Sequence, residues 1–307
     1  MNRAALAQAA TARDDSRRGF AFGVAAYGLW GVLPIYFKAI ADVPAVDIVA
    51  HRVLWSLPFL ALLLFVGKDW AKVGRALRNR RTLGLLAVTA ILIGVNWLLY
   101  VYAVTTGHIL AASLGYYLNP LANVLLGRFV LKERLSWLQW TAVAVAGAGI
   151  AVLAGGALGQ LWISLTLCVS FALYGLFRKI VSVDALAGLA VETGLLFPIA
   201  LGWLAWQAVT GVSILGTSSD DATLLAFAGI VSTTPLLLFT VAARRIPYST
   251  LGMLQFLAPT LQFLCAIWLY GEEFTRAHAI AFASIWIALV LYVIALIRAP
   301  RLPPPPE

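Results

Sequence analysis

Charged side chains are scarce, 11% of 307 residues, against the roughly one quarter that covers a soluble domain. With 62% of the residues apolar, that scarcity excludes an ordinary water-soluble globule. Cysteine is nearly absent: Cys168 and Cys265 both lie in apolar runs with no Cys or His neighbour. They read as small buried hydrophobes, not as a disulfide or a metal site. His51, His108 and His278 are scattered without metal-ligand spacing, so neither metal nor cofactor is expected. No glycine-rich phosphate loop occurs, which leaves an ion gradient or exchange as the energy source for any uphill step. The ten-residue alternation of a membrane β-barrel is missing too.

What the chain does hold is apolar runs of about 20 residues, the length a helix needs to cross a hydrocarbon core ~30 Å thick. Ten are expected, near 19–37, 47–67, 83–104, 108–129, 136–155, 159–177, 186–208, 222–242, 248–270 and 277–297. Loop charge tests that count. With a cytoplasmic N-terminus, 19 of the 22 basic residues fall on the cytoplasmic side. Among them are Arg17 and Arg18, the cluster Lys68 to Arg81, Arg178 with Lys179, and Arg244 with Arg245. Only Lys38 and Arg276 fall outside, while Arg52 lies within the second run. That bias satisfies the positive-inside rule with both termini cytoplasmic. The +9 excess therefore belongs to short loops and does not imply nucleic acid. Ser16-Arg17-Arg18-Gly19-Phe20 reads as a basic flank of the first helix, not an export signal.

The chain also repeats itself. Lys38 aligns with Arg178 and Pro58 with Pro198 at an offset of 140; Pro120 aligns with Pro259 and Glu133 with Glu272 at 139. Five spans per copy is odd, so the second copy enters from the opposite side. The expected organisation is a cytoplasmic segment (1–18), repeats over 19–155 and 156–297, and a cytoplasmic tail (298–307). Inverted repeats point to a transporter with its site between the halves. Even the longest segments between spans, 68–82 and 209–221, leave no room for a soluble catalytic domain.

A charge at mid-membrane costs at least ~2.5–3.5 kcal/mol, so intramembrane ionisable groups are candidates by default. Arg52 and Glu192 qualify and are repeat-equivalent, each either a substrate or proton group or a buried charge held by helix ends. His51 either titrates near neutral pH or faces water at the outer edge. Asn96, Trp97, Tyr116, Asn119 and Gln255 add polar and aromatic groups that bind substrate or glue helices. Pro120 and Pro259 free carbonyls within spans, and Pro58 and Pro198 are bends or gating hinges. Ala146-Gly147-Ala148-Gly149 allows close helix approach, within one chain or across a homodimer.

Several stretches together resemble the RarD proteins, a branch of the EamA-domain transporters of the drug/metabolite transporter superfamily. They are Ala25-Ala26-Tyr27-Gly28-Leu29-Trp30-Gly31, His51-Arg52-Val53-Leu54-Trp55-Ser56, Gly94-Val95-Asn96-Trp97, Ser113-Leu114-Gly115-Tyr116-Tyr117-Leu118-Asn119-Pro120 and Gly271-Glu272. The resemblance implies an all-α protein of ten helices in two inverted five-helix units in the bacterial inner membrane. It further implies a carrier of small solutes, an exporter, proton-coupled or exchanging, as monomer or homodimer. The first copy reads Lys132-Glu133 where the pattern has Gly-Glu, which leaves the role of Glu133 open. A channel-like facilitator and a membrane-embedded enzyme are the rivals. The enzyme lacks a catalytic constellation, and flux that saturates and counter-flows separates carrier from channel.

Overall fold

The computed structural model describes residues 3–40, 42–106, 108–154, 159, 161–211, 219–270 and 276–298. The expectations for Gly271, Glu272 and the tail lie outside these residues. Helices account for nearly all of the described chain, and no strand occurs among the described residues. In order they are α1 (Arg3–Ala39), α2 (Ala45–Val66), α3 (Trp70–Arg78), α4 (Arg80–Thr105), α5 (Ile109–Phe129) and α6 (Trp137–Ala154). The second half holds α7 (Leu161–Ile180), α8 (Ala185–Thr210), α9 (Ser219–Arg245), α10 (Tyr248–Gln255), α11 (Leu257–Tyr270) and α12 (Arg276–Arg298). Large apolar side chains such as Phe65, Ile199, Trp268 and Ile297 point outward, which suits lipid and not water. The molecule is an all-α integral membrane protein.

Every expected span falls on a helix, but not all are alike. Eight stretches among the described residues are long and apolar enough to cross hydrocarbon, and Trp137–Val152 is a shorter apolar helix. The ninth expected span is broken: α10 ends at Gln255 and α11 restarts at Leu257. Pro259 explains the break, since its ring lacks an N–H and crowds the carbonyl four residues back, that of Gln255. By contrast α2, α5 and α8 continue through Pro58, Pro120 and Pro198. The basic segment 68–82, read from the sequence as a loop between spans, carries the amphipathic α3. Its Ala76 and Val73 pack against Leu86 and against Val183, Ala187 and Val191 at the start of α8, leaving the basic side chains outside.

Packing between the halves is reciprocal. Helix α1 lies against α9 and α11, and α7, its counterpart in the alignment, lies against α4 and α5. Helices α2 and α8 pack on each other, as do α6 and α12. The α2–α8 pair is antiparallel: Asp47 near the start of α2 accepts hydrogen bonds from Trp203 Nε1 and Gln207 Nε2 near the end of α8, both 2.8 Å. The small residues serve this packing. A Cβ on Gly115 would lie 2.8 Å from the Ser164 carbonyl of α7, and one on Gly149 would lie 2.5 Å from Ser284 Cβ of α12. The glycine stripe of α6 therefore serves contact within the chain.

Candidate functional site

A cavity of about 450 Å³ lies between the two halves, inside the ~300–1,000 Å³ range of small-molecule sites. Along α1 its wall runs from Tyr27 to Phe37, about 15 Å of helix. The remaining walls come from α2, α4, α5, α7, α9, α10, α11 and, through Phe282, α12. Helix α8 contributes nothing to this wall among the described residues. Its Leu189, Thr193 and Leu196 face a void of only about 20 Å³, room for roughly one water. Trp97 lines both spaces and stands between them. Phe282 reaches the wall because it packs edge-on to Tyr117, with centroids 6.1 Å apart.

Arg52 is the one charged residue on the wall among the described residues. Its Nε donates to Ser232 Oγ of α9 at 2.6 Å, and its guanidinium carbon sits 4.6 Å from the ring centroid of Trp97. The ionisable groups that act on it are the phenols of Tyr116, Tyr36 and Tyr100, and no carboxylate pairs with it among the described residues. The α2–α9 crossing that brings Ser232 there is fastened one turn along by Ser56, which donates to the Arg52 carbonyl and accepts from Thr233 Oγ1 at 2.6 Å. Gly229 sits directly on the Trp55 and Ser56 backbone, where no side chain fits.

Opposite Arg52, Asn96 is held on all sides. Its Nδ2 donates to the Leu167 carbonyl and Ser170 Oγ, both 2.9 Å, and its Oδ1 accepts from Tyr116 OH at 3.0 Å. That fixes the Tyr116 ring, which meets Tyr100 at 5.7 Å and Phe171 at 6.5 Å. Gln255 borders the cavity and accepts from Asn123 Nδ2 at 2.9 Å, joining α10 to α5. Of the expected pathway residues, the fold thus brings Arg52, Asn96, Trp97, Tyr116 and Gln255, together with Pro259, to one cavity.

The others go elsewhere. Glu192 is buried in α8, where it accepts from Thr89 Oγ1 and from Tyr174 OH at 3.4 Å and pairs with Arg178 Nη1 at 3.4 Å. It is off the cavity wall. Arg178, expected in a loop, is fully buried, and its Nη2 donates to the Ala185 carbonyl at 2.9 Å. His51 is buried inside the fold instead of facing water, and it does not line the cavity. Asn119 is also buried off the wall, its amide atoms without hydrogen-bond partners among the described residues. Pro58, Pro120 and Pro198 lie away from it.

Glu133 sits at the opposite end of the bundle. Both its carboxylate oxygens accept backbone amides at the start of α10, Tyr248 N at 2.5 Å and Ser249 N at 3.0 Å. Carboxylates suit exposed helix N-termini, where amides are unpaired and the dipole is positive. Lys132 before it has φ 58°, the left-handed region that glycine favours, so a lysine takes up there a backbone conformation that glycine would adopt more easily. At the same end Lys179 Nζ donates to the Ala243 and Ile246 carbonyls, and Arg245 pairs with Asp15 at 3.1 Å. The sequence does not single out Asp47 and Arg178, because each lies where a helix end and a loop read alike.

Comparison with known proteins agrees with this architecture. The EamA-like transporter family matches residues 17–155. An uncharacterized transporter of Pseudomonas aeruginosa is 47% identical over 96% of this chain and 99% of its own. The protein RarD of Escherichia coli K12 is 42% identical over 94% and 97%. A crystal structure at 19% identity superposes with a TM-score of 0.72 over 92% of this chain and 99% of its own, a likeness that shows the fold alone. Relatives this similar over almost the full length establish that the chain belongs to the EamA transporter family, in its RarD branch.

Proposed function

We propose that this membrane transporter is a secondary carrier of small solutes working by alternating access between two inverted five-helix repeats, 19–155 and 156–297. The observation that carries the reading is the cavity of about 450 Å³, walled by helices of both halves and set toward one end of the bundle. The reciprocal packing and the antiparallel α2–α8 pair support the inversion. With both termini in the cytoplasm, as the loop charges favour, the cavity faces the outer side. The layer built by Glu133, Lys179 and the Asp15–Arg245 pair then closes the cytoplasmic side. Export by proton coupling or exchange requires that layer to part and the outer side to close.

Within this cycle Arg52 binds an anionic group of the solute, and Asn96, Trp97, Tyr116 and Gln255 shape the pocket around it. Glu192 belongs to a clamp joining α7, α8 and α4, and Glu133 belongs to the gate. The test is transport in proteoliposomes. Arg52→Ala is expected to abolish flux while expression and unfolding temperature stay normal; an unchanged rate sinks the assignment. Saturation and counterflow identify a carrier, whereas ohmic current identifies a channel.

A further inference from the structure

We infer that the cavity takes a planar organic monoanion, its carboxylate on Arg52 and its ring against the aromatic wall. The inference rests on the reading of this cavity as the solute site and names the solute's chemistry. Its first support is the charge count. One guanidinium faces the cavity, with Nε engaged by Ser232 and neither Nη in a hydrogen bond among the described residues. Those two nitrogens form a planar fork that matches a carboxylate in bidentate fashion. No acidic side chain lines the wall among the described residues, so an ammonium group would enter beside an uncompensated positive charge and find no counter-ion. A zwitterion or cation is therefore disfavoured, and a dianion would leave one charge unpaired.

The second support is the shape and polish of the wall. Trp30, Trp97, Tyr100, Tyr116, Tyr117 and Phe171 line it. Four of them are joined edge-to-face, at Trp30–Phe171 (72°), Tyr100–Tyr116 (61°) and Tyr116–Phe171 (81°), while Tyr117 packs on Phe282 and Trp97 on Arg52. Aromatic rings fixed in this way offer faces and edges for a flat ring at little entropic cost. The Asn96–Tyr116 bond engages that amide and that phenol with each other, which leaves Arg52 as the charged group through which the site discriminates.

The experiment measures affinities of the full-length protein in detergent for four ligands that share one ring. Indole-3-propionate is the anion, indole-3-propionamide the neutral isostere, tryptamine the cation and tryptophan the zwitterion. Losing charge-assisted hydrogen bonds is expected to weaken the amide and the amine by about tenfold or more relative to the anion, and burying an ammonium without a counter-ion to weaken tryptophan by a similar factor. Arg52→Gln should level the series, and Arg52→Lys should keep the anion first. Equal affinities, a preference for tryptophan or tryptamine, or no binding of the propionate overturns the proposal, whether or not the variants fold. Proteoliposomes separate this from the carrier reading. If the propionate binds first but saturable counterflow is absent, the carrier reading fails and the anion site stands. Saturable counterflow of other solutes with a level indole series does the reverse.

Discussion

Arg52 and Glu192 occupy equivalent places in the two halves, 140 residues apart, and meet opposite fates. Arg52 keeps its charge toward a cavity, in contact with a hydroxyl and an indole face. Glu192 is neutralised by Arg178 and enclosed by Thr89 and Tyr174. In the alignment of the two halves, only one of the two positions turns its buried charge toward the cavity. Charge inside a membrane therefore does not mark a cavity by itself: Glu192 is held by a protein counter-ion, and Arg52, which has none among the described residues, is the one that lines the cavity.

The largest expected effect breaks the comparison on its structural side. Glu192→Ala leaves the Arg178 guanidinium buried and unpaired, and removing one partner of such a pair costs about 3–5 kcal/mol. Unfolding in mixed micelles should reveal that loss. The paired replacement Arg178→Met with Glu192→Leu should recover most of it, since apolar residues of similar volume substitute well for a buried pair. Arg52→Ala, in contrast, should leave unfolding nearly unchanged and remove transport. If both single variants lose stability alike, the distinction between a clamp and a binding charge fails.

A second, smaller effect sharpens the contrast between the two ends of the bundle. Glu133→Gln keeps the shape of the side chain but weakens two charge-assisted hydrogen bonds to the start of α10. The cost is about 1–3 kcal/mol, confined to the closed arrangement of that end. Amide exchange at Tyr248 and Ser249 should accelerate roughly 10–100-fold in that variant, while exchange in α4 and α5 beside the cavity stays put. A uniform rise across the molecule would mean that Glu133 supports the whole fold and not one end. Asp47→Asn is expected to be milder. It retains an acceptor for Trp203 and Gln207 but loses the charge, at about 1–2 kcal/mol of stability read by the same unfolding assay.

Much of this architecture is legible in the sequence, for physical reasons. Long apolar runs and basic loops report which segments cross the membrane, because lipid imposes both. Arg52, Asn96, Trp97, Tyr116 and Gln255 stand out because polar or amphipathic groups inside such runs must find partners, and here the cavity lies beside them. Hydropathy does not report how each helix is rotated. Asn119, one turn from Tyr116, therefore looks equivalent to it in sequence yet points into the packed interior. The Glu192–Arg178 pair depends on the α7–α8 turn bringing the end of one helix against the start of the next, which no periodicity encodes. Helix α3 has no clear signal in the sequence because nine residues of basic loop become helical only by seating Ala76 against α8.

The smallest effect compares the buried pair with an exposed one nearby. Lys72 of α3 pairs with Asp69 at 2.8 Å and reaches Asp184, the residue that caps α8, at 3.6 Å. The hydrogen bond to Asp69 comes first, then the charge of Asp184, in raising the Lys72 ammonium above its ordinary value of 10.5. A raised lysine stabilises the fold fully below that ordinary value, and the contribution disappears as pH climbs through the raised one. Stability near neutral pH should therefore not respond, and a decline should begin only above about pH 10. Because this side chain is open to solvent, salt should erase the effect, while the Glu192–Arg178 clamp should ignore salt. Unfolding of Lys72→Gln against the wild type between pH 9 and 11, at about 0.02 and 0.5 M salt, measures it. A salt-insensitive difference would show that α3 is held to α8 by more than its apolar face and a screened charge.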